Sequence, residues 1–65
     1  MKLVASSPIA ALRIRGSLVE AGFEATVVGA SLPSGVEVGC RRREESEVLA
    51  IARAADPRCR PAPGR

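Results

Sequence analysis

The chain has 65 residues and a formal net charge of +3, enough for one domain with a small core, since a chain of this size removes only about 60% of its unfolded surface from water. Two cysteines and no histidine argue against a closed metal site, which needs about four thiolate or imidazole ligands, and exclude a Ser-His-Asp or Cys-His set within one chain. Phe23 is the single aromatic residue, too few for a base-stacking platform; no apolar run approaches the roughly 20 residues that span a bilayer, and Met1 to Ala5 is too short for a signal peptide.

Lys2 to Ala5 is β-prone and reads as a first strand. Ser7 then suits a helix cap, Pro8 the first helical position, and Gly22 the left-handed residue that ends a helix. At about 100° per residue, Ala10, Ala11, Leu12, Ile14, Leu18, Val19 and Ala21 fall on one broad side of this helix, and Arg13, Ser17 and Glu20 on the other. Arg15 lies inside the apolar arc, where a stem packed on the sheet with its guanidinium reaching water is the expected arrangement. Gly16 costs the helix about 1 kcal/mol relative to alanine.

Phe23 to Gly29 carries the β-branched run Thr26, Val27 and Val28 and reads as a second strand. Ala30 to Ser34, with Pro33 and Gly35 as punctuation, reads as a turn, after which Val36, Val38 and Cys40 alternate with Glu37 and Gly39 in a third strand. The short connection makes these two strands an antiparallel hairpin, whereas the helix between the first two makes those parallel. Glu44, Glu45 and Glu47 then open a second helix with Val48, Ile51, Ala52 and Ala55 on one face and Arg53 near its end, both of which suit the helix dipole. Asp56-Pro57 stops it.

The expected architecture is therefore α+β, in the order β-α-β-β-α: a truncated ferredoxin-like unit with a three-stranded mixed sheet and two helices on one face. Residues 1–56 form the domain, and residues 57–65 are expected as a disordered basic tail, rich in proline and arginine, that supplies much of the net charge. With the third strand between the first two, the first strand becomes an open edge, which a second protomer would fill.

Two places stand out for chemistry. Cys40 ends a strand, precedes three arginines and faces a helix start, all of which lower a thiol pKa; it equally continues the inward alternation of Val36 and Val38 as a small buried hydrophobe. Arg41, Arg42 and Arg43 would hold a small anion at the second helix, or form a solvated face neutralised by the glutamates that follow. Cys59, in the expected tail, has no partner motif. The chain has no convergent carboxylate pair, so an enzyme is not expected, and neither a metal nor a cofactor is implied.

Ser7-Pro8-Ile9-Ala10-Ala11, Leu18-Val19-Glu20-Ala21-Gly22-Phe23-Glu24-Ala25 and Gly35-Val36-Glu37-Val38 together resemble a small prokaryotic family of signal-transducing domains of unknown function, related in fold to PII-type regulators. The resemblance spans roughly residues 2 to 55 and rests on structural motifs. It implies a regulatory role and carries over no functional residue. The element order also resembles a family of selenium or sulfur carriers, which has a Cys-Gly pair where this chain has Ser34-Gly35. The expectation is a non-enzymatic, cytoplasmic regulatory or interaction module that pairs with its own copies or a partner protein through a sheet edge. A thiol carrier using Cys40 is the alternative. Membrane is not expected as a partner, nor is nucleic acid.

Overall fold

The computed structural model describes residues 1–28 and 35–62. The expected turn from Ala30 to Ser34 lies outside the described residues, as does the end of the expected tail. The elements are β1 (Lys2–Val4), α1 (Pro8–Glu20), β2 (Glu24–Val28), β3 (Gly35–Gly39), a 3-10 turn (Arg42–Glu44), α2 (Glu45–Ala55) and β4 (Arg60–Pro61).

Local chemistry sets both ends of α1. The Ser7 hydroxyl accepts the Ala10 N–H at 3.1 Å, satisfying one of the free donors of the first turn, and Pro8 follows where its missing N–H costs nothing. At the other end the Phe23 N–H donates to the Leu18 carbonyl at 2.9 Å and the Gly22 N–H to that of Val19 at 3.0 Å. Gly22 has φ +96. This two-bond closure needs a left-handed residue, and glycine takes that conformation without strain. The chain leaves the helix pointed back along the sheet.

The sheet order is β2-β3-β1-β4, and every neighbouring pair is antiparallel. The α+β class holds, but the sheet has four strands and is not mixed. β1 and β2 run parallel to each other, as the helix between them requires, yet β3 separates them and reverses the direction at each step. The fourth strand comes from the segment expected to be a tail: Arg60 lies opposite Val4 and Pro61 opposite Leu3, and the Ala62 N–H donates to the Lys2 carbonyl at 2.9 Å. Residues 57–62 are thus packed against the domain. The edge of β1 that would have been open is occupied by residues 60–62 of the same chain.

Leu3, Ala5, Ala25, Val36 and Val38 form the inner face of the sheet, and Ala11, Ile14 and Leu18 of α1 pack on it together with Val48 and Ala52 of α2 and with Cys59. The opposite face of the sheet is polar, with Lys2, Glu24, Thr26 and Glu37 exposed. Within α1 the apolar residues divide. Ala11, Ile14 and Leu18 are fully buried, whereas Ile9, Leu12 and Val19 are 67%, 60% and 48% exposed. Leu12 and Val19 were expected with the buried set; they sit more than a quarter turn from it, and the helix can turn only one side to the sheet and α2.

Candidate functional site

The sequence directs attention first to the turn between β3 and α2. Arg41, Arg42 and Arg43 are all exposed. The Arg41 N–H donates to the Glu44 carboxylate at 2.8 Å, and the Glu44 N–H returns to the Arg41 carbonyl at 2.8 Å. The turn therefore closes on itself through a reciprocal pair of bonds between Arg41 and Glu44. Three guanidinium groups remain at the surface, on a support only three residues long.

Cys40 is half-buried and packs against the core, continuing the inward alternation of Val36 and Val38. Cys59 is the more deeply placed thiol, only 2% exposed. Burial pushes its pKa up, and the nearby Asp56 carboxylate adds to this while Arg53 opposes it. The strand registers set Cys59 beside Ala5, at one end of the sheet, and Cys40 beyond the Met1 level at the other. At about 3.3 Å per residue the separation is on the order of 20 Å. A disulfide needs Cα atoms within about 7 Å, so the two thiols cannot form a redox pair within one chain.

Among the described residues, the most heavily bonded polar side chain is one the sequence marks only as a helix stop. Asp56 is 5% exposed. Its Oδ2 accepts the Ser6 N–H at 2.9 Å, and its Oδ1 accepts the Ser6 hydroxyl at 3.0 Å and the Arg58 N–H at 3.2 Å. The Ser6 N–H does most to hold the carboxyl below its ordinary range; burial pushes the other way, and the Ser6 hydroxyl, the Arg58 N–H and the Arg58 charge add to the lowering. One carboxylate thus joins the end of β1, the end of α2 and the turn into β4. The Cys59 N–H donates to the Asp56 carbonyl at 2.9 Å, and Arg53 Nε–H donates to the Cys59 carbonyl at 3.3 Å. The three donors to the Asp56 carboxylate all come from within the chain, so the knot ties its own elements together.

The sheet edges differ from each other. Val38 exchanges hydrogen bonds with Met1, at 2.9 Å and 2.7 Å, so its backbone groups face β1. Alternation then turns Glu37 and Gly39 toward β2, and their partners Thr26 and Glu24 back toward β3. Ala25 and Val27 are left with N–H and C=O groups directed away from the sheet. Among the described residues no strand lies beyond β2. At the opposite edge, Ala62 bonds to Lys2, so by the same alternation Pro61 presents its outer side where an N–H would stand. Proline at that place blunts an edge. β2 carries no such block.

No group of three or more His, Cys, Asp or Glu side chains among the described residues is placed to hold a metal ion, and no described helix is long and apolar enough to cross a membrane. No family model matches the chain, and neither a curated protein nor a solved structure is significantly similar to it.

Proposed function

We propose that this protein is a non-enzymatic interaction module of the regulatory kind, which receives an extended segment of a partner protein along the outer edge of β2. The observation that carries the reading is the pair of outward-facing backbone positions at Ala25 and Val27 on an unblocked strand rich in β-branched residues. An added strand satisfies such groups with ladder hydrogen bonds and takes its specificity from alternate side chains. The contrast with Pro61 supports the assignment to this edge, since among the described residues the β2 edge keeps its outward N–H groups where the opposite edge has proline.

The test uses Val27→Pro. The outward N–H of Val27 takes no part in the β2-to-β3 ladder, so proline there removes a donor for the partner and leaves the internal pairing intact. Peptides selected from a display library against the full chain should be extended and β-prone. Their affinity should fall by about tenfold or more in the variant, equivalent to about 1.4 kcal/mol. Circular dichroism of the variant should match that of the parent. Selected peptides that bind the variant as tightly as the parent, or that instead lose binding when Arg41, Arg42 and Arg43 become alanine, would remove the edge from the argument.

A further inference from the structure

The core leaves a second apolar line on α1. Ile9, Leu12, Gly16 and Val19 follow one another at spacings of three, four and three residues, which places them in one stripe along the helix. The stripe is turned roughly 140° from the buried line of Ala11, Ile14 and Leu18, taking about 100° per residue. Ile9 is 67% exposed and Leu12 60%, large values for side chains of this size when they are grouped rather than scattered. A Cβ added at Gly16 would meet nothing within 4 Å. The glycine therefore answers no packing need inside the chain, although it weakens the helix.

The flank of the stripe has a charge pattern. Arg13 and Glu20 are both exposed, stand seven residues apart, and so lie on the same side of the helix, about 10 Å from each other along its axis. Their midpoint falls at Gly16 and Ser17. If a second α1 lies antiparallel against the stripe and crosses at that midpoint, the two-fold axis sets Arg13 of each copy opposite Glu20 of the other. Val19 then seats between Leu12 and Gly16 of the facing helix, and the missing Cβ of Gly16 lets the backbones approach where they cross. The other flank carries Arg15, also exposed, which the same two-fold brings near its own copy, so the complementarity rests on the Arg13 and Glu20 flank, where two opposite-charge contacts are made.

We propose that the α1 stripe is a self-association surface whose occupant is a second copy of this chain, paired antiparallel through α1 with the Arg13 and Glu20 contacts made twice. This surface lies in the helix layer and does not depend on the β2 edge. The helix has 13 residues, so the contact is about 20 Å long and small beside the 1,200 Å² or so of a stable interface; the dimer is therefore a weak, reversible one.

The experiment is sedimentation equilibrium on the full chain from about 10 μM to about 1 mM, a range matched to a weak complex. The parent should dimerise reversibly. Arg13→Glu and Glu20→Arg should each weaken the dimer about tenfold, because each places two like-charged pairs across the two-fold axis. An equimolar mixture of the two variants should recover the parent affinity as a heterodimer, since both pairs are then opposite in sign. Val27→Pro should leave the dimer unchanged. A monomer throughout the range, which would leave the stripe to some other partner, overturns the proposal. So does a dimer indifferent to both reversals, or a mixture no tighter than the single variants.

Discussion

Replacing Asp56 with alanine removes three hydrogen bonds from a nearly inaccessible carboxylate, at 2.9 Å, 3.0 Å and 3.2 Å, and leaves the Ser6 N–H without its partner. Hydrogen bonds to charged groups contribute about 1.5 to 3 kcal/mol each and are not additive within one cluster. A total loss of about 3 to 4 kcal/mol is expected. A chain of this length has only about 3 to 10 kcal/mol of stability at the usual per-residue value, so Asp56→Ala should lose from about a third to all of it, read as a fall in the urea and thermal midpoints. Asp56→Asn is the informative variant. Its carbonyl can still accept the Ser6 N–H, and its amide can donate to the Ser6 hydroxyl, but the same amide then faces the Arg58 N–H. It should cost about 1 to 2 kcal/mol, lowering the thermal midpoint by about 5 to 15 °C in a domain of this size.

The pH dependence separates the charge from the shape. The folded carboxyl titrates below its unfolded value, so the native state favours the ionised form. That stabilisation is complete above the unfolded carboxylate range, near pH 4, and is lost as pH falls through the folded value. Urea unfolding followed by circular dichroism from pH 7 down to about pH 2.5 should show the gap between parent and Asp56→Asn narrowing on acidification. A gap that is constant across this range, or Asp56→Ala within about 0.5 kcal/mol of the parent, would refute the reasoning.

Three further perturbations test the fold. Truncation after Pro57 removes β4, the buried Cys59 side chain and one donor to Asp56; it should abolish the cooperative thermal transition, whereas removal of a tail without contacts would leave it unchanged. Gly22→Ala forces a Cβ into a left-handed conformation, φ +96, and should cost about 1 kcal/mol; the shift of the urea midpoint reports it. In timed iodoacetamide labelling with intact-mass detection, Cys40 should react before Cys59, whose thiol is buried with a raised pKa, and urea should bring the two rates together.

Most of the elements follow from local chemistry. Ser7, Pro8 and Gly22 fix the ends of α1 through contacts within a few residues, and the alternation of Val36, Val38 and Cys40 fixes which side of β3 faces inward. These signals are legible because they depend on backbone geometry and on a period. The fourth strand is different. Arg60 and Pro61 have no β-propensity, and only two residues pair; they are held because Asp56 reaches Ser6, fifty residues away, and because Cys59 finds a place in the core. A contact of that sequence separation leaves no local trace, and a Pro- and Arg-rich segment looks unable to pack until the surface it packs on exists.

The candidate surfaces divide the same way. The arginines at 41 to 43 are plain in the sequence, but that Glu44 bonds back to the Arg41 N–H beside them is a matter of the folded turn. An open sheet edge is expected at β1; β4 occupies it, and β2, an edge in either arrangement, is the one that no described strand covers. For α1, the composition shows that the helix is apolar, and only the placement of the sheet and α2 decides which apolar residues are covered. Sequence determines the faces a helix has. Tertiary structure decides which of them meets water, because burial is a property of the neighbours.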